Sequence, residues 1–145
     1  TFFVVGADTR KSVLKYHDGK NVIVAGYAED LKTMLNRSRI YVASLQSGAG
    51  IQNKILEAMA CSLPVITTSY GNAGIRAKKN HTILIKDDPK EFADAVLDLL
   101  TDESKRRTLG KNGLQLVTKH FSWASMIDVL NAAYNNLLKN TVVRE

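Results

Sequence analysis

Cysteine is the scarcest informative residue in this chain. The 145 residues include one, Cys61, which excludes an internal disulfide framework and any zinc site built on several cysteines. Such usage points to a reducing, cytoplasmic setting. Two prolines and nine glycines exclude collagen-like and linker-like chains. No apolar run approaches the ~20 residues that a membrane helix needs. No signal peptide is expected in this stretch, because Thr1-Phe2-Phe3 opens it without Met or a basic segment ahead of an apolar one. The expectation is an excerpt of a longer protein that begins inside a strand. Acidic residues are outnumbered, 14 against 20 basic, for a net charge of +6. That balance suits polyanions or an acidic membrane surface. The excess is scattered over Arg10-Lys11, Lys78-Lys79 and Lys105-Arg106-Arg107, and no basic stripe is interleaved with aromatics. Solvated faces are therefore expected, and no nucleic-acid partner.

What is present is ordinary globular material, 45% hydrophobic and 23% charged. The length suits a single domain over 1–145 that buries about two thirds of its unfolded surface. Five short apolar runs read as strands: Phe2–Gly6, Asn21–Gly26, Ile40–Ser44, Pro64–Thr68 and Thr82–Ile85. They are continuous rather than alternating, the pattern of parallel strands covered on both faces. Helical stretches lie between them. Leu31 and Leu35 stand at i and i+4, with Asp30 as a cap. From Ile51 to Ala60 a stripe of Ile51, Ile55 and Met59 recurs. The second half is helical: a segment from Pro89 carrying Phe92, Val96, Leu97 and Leu100, one capped by Asp102 through Leu109, one from Gly113 to His120, and a last one capped by Ser122 through Leu138. Alternating strands and helices followed by a helical tail predict an α/β fold with a parallel sheet and right-handed crossovers.

Ligands of such sheets bind beyond the carboxyl ends of the strands. Three turns qualify there: Gly6-Ala7-Asp8, Gly26-Tyr27-Ala28 and Ser47-Gly48-Ala49-Gly50. The third has two glycines and opens directly into a helix. Backbone N–H groups and the helix N-terminus would suit a phosphate or diphosphate, although the same glycines also suit a plain strand-to-helix turn. A dinucleotide fingerprint fails, since its third glycine falls on Asn53 and no acidic residue lies between Glu57 and Asp87. A P-loop is absent. Glu57 is unusual, a carboxylate flanked by Ile55, Leu56, Ala58 and Met59 on a helix expected to be largely buried. It lies off the apolar stripe, on the side of Gly50, Asn53 and Lys54, roughly 9 Å along the axis from Ile51 at ~1.5 Å per residue. Two ribose hydroxyls would satisfy it. A salt bridge to Lys54 or an exposed face accounts for it equally well. His17, His81 and His120 are scattered and read as surface or packing residues, and Cys61 as a small core residue.

The stretch Gly50-Ile51-Gln52-Asn53-Lys54-Ile55-Leu56-Glu57-Ala58-Met59-Ala60-Cys61-Ser62-Leu63-Pro64-Val65 resembles the signature of group 1 (family 4) glycosyltransferases of GT-B fold, E-G-F-G-x-x-x-L-E-A-M-A-C-G-x-P-V-V. Phe3–Gly6, Val24–Tyr27, Tyr70–Gly74, Leu109–Gly113 and Phe121-Ser122-Trp123 match further, weaker stretches of the family. The resemblance implies a Rossmann-like parallel sheet flanked by helices, the C-terminal, donor-binding half of a GT-B enzyme. It implies that Glu57 grips the ribose of a nucleotide-sugar donor, and that Gly48, Ala49 and Gly50 with the following helix start hold the diphosphate. Gly26 and Tyr27 then border the base, and Gly6 ends the first strand of the same site. It also implies retaining transfer in glycan or surface polysaccharide biosynthesis, no metal and no other cofactor. The partner is an N-terminal acceptor-binding domain absent from this chain, so the chain alone is expected to be inactive. The full-length enzyme is placed in the cytoplasm, with peripheral association at the inner membrane face as an option.

Departures from the pattern bear on these roles. The family's first glutamate, eight positions before Glu57, falls on Ala49, and the second glycine falls on Gln52. Gly50-Ile51-Gln52-Asn53-Lys54 resembles a sub-branch in which Asn53 or Lys54 shares the anchoring. The alternative is a catalytically silent nucleotide- or ligand-binding domain of the same fold. A flavodoxin- or response-regulator-like module is disfavoured, because Asp8 and Glu29-Asp30 form no acidic metal cluster.

Overall fold

The computed structural model describes residues 1–48 and 50–142, with side-chain surroundings up to residue 138. The chain forms two compact units, residues 1–34 and 35–145.

In the first unit, β1 (Phe2–Val5) pairs in parallel with β2 (Val22–Gly26), Phe3 opposite Ile23 and Val4 opposite Val24. The register slips between Val4 and Val5, so that Val5 faces Gly26. A single helical turn, α1 (Lys11–Leu14), lies in the crossover. The turn into β2 is built on Asp18, whose Oδ1 accepts from the backbone N–H groups of Lys20, Asn21 and Val22 at 2.7–2.9 Å. These bonds, Val22's foremost, lower its carboxyl from 3.8 to about 2. They favour the ionised form because a carboxylate accepts better than an acid. Both strands were expected to be covered on both faces. Instead no residue of this unit is buried, and Phe2 and Phe3 are half exposed.

The chain enters the second unit within α2 (Leu31–Asn36), where Asp30 Oδ1 caps the Thr33 N–H at 2.8 Å. Here β3 (Tyr41–Ala43), β4 (Val65–Thr67) and β5 (Leu84–Ile85) form a parallel sheet in the order β3-β4-β5. Val42 stands opposite Ile66, and Ile66 opposite Leu84. The central strand is sealed, with Val65, Ile66 and Thr67 at most 1% exposed. Crossovers carry α3 (Asn53–Ala60) and the short α4 (Ser69–Asn72). The helices α5 (Pro89–Thr101), α6 (Glu103–His120) and α7 (Trp123–Val142) follow. The last two starts obey the predicted capping, Asp102 holding the N–H of Lys105 and Ser122 that of Ser125, and the structure adds Asp88, which caps the N–H groups of Lys90 and Glu91 ahead of Pro89. Ile66, Leu84, Ala95, Leu99 and Leu109 form a core cluster, with Phe92 and Val96 packed against it.

Two helical expectations are corrected. The inward stripe of α5 is Phe92, Ala95, Val96 and Leu99, at i, i+3, i+4 and i+7, and it leaves Leu97 and Leu100 exposed. The segments expected on either side of Gly110–Gly113 are one continuous helix, α6. A side chain at Gly110 would overlap the Ser62 carbonyl oxygen, so glycine lets α6 lie directly on the α3–β4 loop instead of ending the helix. Along α7, Trp123, Met126, Ile127, Leu130, Tyr134, Leu137 and Leu138 are all more than half exposed. Among the described residues, no helix is long and apolar enough to cross a membrane.

Candidate functional site at the carboxyl edge of the second sheet

The segments that leave β3, β4 and β5 at their carboxyl ends bring together the residues of interest in the second unit. After β3 the chain runs through an exposed loop into α3. Gly48 and Gly50 have φ of +145° and +82° there, backbone conformations that only glycine adopts without strain. Ala49 lies outside the described residues. Gln52, at the N-cap of α3, makes no side-chain hydrogen bond to the helix, so its leading amides are not capped by that residue.

Along α3 the packing face is Ile55, Ala58 and Met59, all at 1% exposure or less. Ile51, expected on this stripe, precedes the helix and is half exposed. Asn53, Lys54 and Glu57 are exposed. Of the readings open for Glu57, the structure gives the exposed face and not the buried carboxylate: it sits about 200° round the helix from Ile55, at ~100° per residue, and faces away from the core. The strong apolar character of this helix comes from one face alone. The proposed ion pair of Glu57 with Lys54 is not formed; among the described residues the ion pairs are Lys86–Glu91 and Glu103–Arg107. Glu57 does make itself felt on β3, where the half-buried Tyr41 hydroxyl is pushed above its ordinary range, chiefly by burial and further by the Glu57 charge. Burial and a nearby anion both disfavour phenolate.

The segment after β4 carries polar groups that sequence reasoning passed over. Thr67 Oγ1 donates to the Ala43 carbonyl at 2.8 Å, and the Thr68 hydroxyl donates to the Leu45 carbonyl. Both side chains are buried, and these bonds satisfy them. Thr68 also caps α4 by accepting from the Gly71 N–H at 3.3 Å. Beyond β5, Asp87 Oδ1 accepts from Ser69 N–H at 2.7 Å and Ser69 Oγ at 2.9 Å. The same bonds hold the Asp87 carboxyl below its ordinary range. Gly74 ends this segment against the glycine loop; a Cβ there would overlap the Gly50 carbonyl and stand 2.8 Å from the Ile51 nitrogen. Tyr70–Gly74 was read as a glycine turn; its first part is the helical turn α4. The run Thr67-Thr68-Ser69 directly after an apolar strand was the available signal.

Three other predicted residues belong to the first unit. Gly6 donates its N–H to the Gly26 carbonyl at 2.8 Å, joining the ends of the two strands. Gly26 has φ of +68°, and Tyr27 is 76% exposed. Outside these groups, His17 Nδ1 accepts from the Val24 N–H at 3.0 Å, and Cys61 is half-buried instead of a core residue. A shallow cleft of about 310 Å³, lined by Asn80, His81, Asp102, Lys105 and Asn112 among others, includes none of the predicted residues. Among the described residues, no group of three or more His, Cys, Asp or Glu side chains is gathered as a metal site.

Known proteins resemble this chain in sequence and fold. The family described as "Glycosyl transferases group 1" matches residues 1–102. The capsular polysaccharide biosynthesis glycosyltransferase CapM of Staphylococcus aureus is 32% identical over 123 residues, covering 83% of this chain and 32% of CapM. Sucrose-phosphate synthase of Thermosynechococcus elongatus superposes with a TM-score of 0.70 at 25% identity, over 95% of this chain and 38% of that one. Anabaena HepE, solved in complex with UDP, superposes with a TM-score of 0.75 at 16% identity, over 92% of this chain and 40% of that one, a likeness of fold alone. The chain spans about a third of the length of the curated relatives it matches. With a matching family profile over most of its length, a parallel α/β fold and a helical C-terminal segment, the chain belongs to the group 1 glycosyltransferases.

Proposed function

We infer that this chain is the donor-binding part of a glycosyltransferase that takes a sugar from a nucleoside diphosphate. The observation that carries the reading is the loop of Gly48 and Gly50 at the carboxyl edge of the second sheet, which runs into α3 with Asn53, Lys54 and Glu57 exposed beyond it. Loop and helix-start amides, with the Lys54 ammonium, would neutralise the diphosphate as it leaves. Glu57, acceptor-only when ionised, would take two ribose hydroxyl protons. Gly26 and Tyr27 are assigned to the base, and Gly6 and Ala49 to the remaining donor contacts. Transfer with retention of configuration belongs to the same reading, and the capsular relative favours glycan or surface polysaccharide assembly as its setting. The acceptor is assigned to the rest of the full-length enzyme, acting in the cytoplasm with peripheral association at the inner membrane face as an option. The diphosphate needs no metal in this scheme.

A second reading has its own observation. Ala49 stands where the family pattern has its first glutamate. A methyl group offers no hydrogen bond to a sugar, which favours a domain that binds the nucleotide without promoting transfer.

Calorimetric titration of UDP, GDP and ADP tests the proposal. One of them should bind, EDTA should leave the affinity unchanged, and Glu57→Ala should weaken binding by ~1.5–3 kcal/mol, the value of hydrogen bonds to a charged group. Equal affinities in variant and parent would remove Glu57 from the site. Binding that is lost to EDTA and restored by magnesium or manganese would overturn the metal-free scheme. Detectable sugar transfer by a longer native chain carrying the same Ala49 would decide against the silent-domain reading.

A further inference from the structure

The glycine loop is held by one neighbouring segment, and it is held at both ends. Where the chain leaves β3, the Leu45 carbonyl accepts the Thr68 hydroxyl proton, one residue beyond the anchor of Thr67 on Ala43. Where the loop enters α3, Gly50 and Ile51 lie so close to Gly74 that a methyl group there would overlap the Gly50 carbonyl. Thr68 and Gly74 are the two ends of a single short stretch that includes α4. That stretch is fastened in turn. Thr68 accepts from Gly71 N–H, and Asp87, arriving from β5, takes both the N–H and the hydroxyl proton of Ser69. Asn72 ties its far end, receiving the Ala77 N–H at 2.9 Å and donating to the Ala77 carbonyl at 3.1 Å. Gly71 admits no side chain either, because a Cβ there would overlap Thr67 Oγ1.

We propose that the Thr68–Gly74 segment is the template that sets the path of the chain at the two ends of the glycine loop, at Leu45 and at Gly50-Ile51, and that Gly74 and Asp87 are positioning residues for whatever anion that loop holds. Neither touches the ligand in this scheme. Gly74 acts by the room it leaves, since the Gly50 carbonyl and the Ile51 N–H can take their places only with no Cβ between them. Asp87 acts one step further off, by holding Ser69 and hence the start of α4. A loop whose amides are arranged before the ligand arrives loses less freedom on binding, and the gain appears as affinity. The consequence for nucleotides rests on the functional reading above; the mechanical part does not.

The test uses this chain in four forms: the parent, Gly74→Ala, Asp87→Ala and Asp87→Asn. Amide chemical shifts and 15N order parameters of Gly48, Gly50 and Ile51 report the loop without any ligand. UDP, GDP and ADP are the binding probes. Gly74→Ala and Asp87→Ala should shift those three amides and lower their order parameters, while the amides of β4 and α6 stay in place. Both should weaken the nucleotide that binds by about tenfold, one hydrogen bond's worth. Asp87→Asn keeps an acceptor oxygen for Ser69 and should restore both readouts, which a loss of charge alone would not predict. If Gly74→Ala fails to fold, the Asp87 pair carries the test, because Asp87 and Ser69 are exposed and their removal opens no cavity. Unmoved loop amides in Asp87→Ala would overturn the proposal, as would an Asp87→Asn variant as loose as Asp87→Ala. Loop amides that move in a chain whose parent binds no nucleoside diphosphate would support the template and sink the functional reading instead.

Discussion

β2 and β4 are made of similar residues, Val-Ile-Val-Ala-Gly and Val-Ile-Thr, and each pairs in parallel. Their surroundings differ. β4 has a strand on either side, helices α3, α5 and α6 against it, and is almost wholly excluded from water. β2 pairs with β1 alone among the described residues, and its residues are half-buried or exposed. An apolar run therefore specifies extended backbone, while the share of its transfer energy realised depends on what covers it. At roughly 25 cal/mol for each Å² removed from water, a sealed isoleucine contributes far more than a half-covered one.

That contrast is sharpest in a pair of substitutions. Ile66→Ala should cost about 3–4 kcal/mol, within the range for deleting a fully buried branched side chain. Val24→Ala in β2 should cost about 1 kcal/mol, because fewer atoms leave water there and the site relaxes more easily. Urea unfolding, followed by probes placed separately in each unit, measures both. Equal losses would mean that coverage does not distinguish the two strands.

Gly110→Ala probes the covering layer of β4. In an exposed helix interior this change gains about 1 kcal/mol of helix propensity. Here the new methyl would overlap the Ser62 carbonyl, so the sign should reverse, to a net loss of about 1–3 kcal/mol from overpacking. A rise in melting temperature would show that α6 shifts off the α3–β4 loop at little cost.

The smallest effect belongs to the first unit and depends on pH. The Asp18 carboxyl lies at about 2 in the folded chain, below its ordinary 3.8. A group depressed on folding stabilises above its unfolded value and loses that contribution as pH falls through the folded one. The turn into β2 should therefore loosen on acidification between pH 3.8 and about 2. Asp18→Asn should remove that part of the acid response, read from the amide shifts of Lys20, Asn21 and Val22. An Asp18 carboxyl that titrates at its ordinary value in the intact chain would show that its three backbone bonds do not hold the turn into β2.

Several elements were legible in the residues alone, for local reasons. Asp30, Asp102 and Ser122 cap helices because a short side-chain oxygen reaches a backbone N–H three residues on, whatever lies elsewhere. The five strands follow from continuous β-branched runs between turns. The glycine loop and its entry into α3 are equally local. Which faces are covered was not legible. The apolar neighbours of Glu57 left burial and an exposed face equally open, and the structure decides for the exposed face, because Ile55, Ala58 and Met59 occupy one side of the helix and leave Glu57 on the other.

What this sequence determined by itself is the order and parallel character of its strands, the helix starts that carry a cap, and the family that the run Gly50–Val65 marks. Tertiary structure decided what depends on approach between distant segments. Gly110 reads locally as a helix breaker, yet α6 continues through it, because the α3–β4 loop lies where a side chain would be. Gly74, matched only as part of a weak family stretch, and Asp87, which carries no motif, lie 24 or more residues beyond Gly50, and only the folding of the β4 and β5 ends to one edge brings them to the loop. Capping and strand propensity act over a few bonds and leave a trace in the residues that need them. Close packing acts through space, and its partners are named only once the chain has folded.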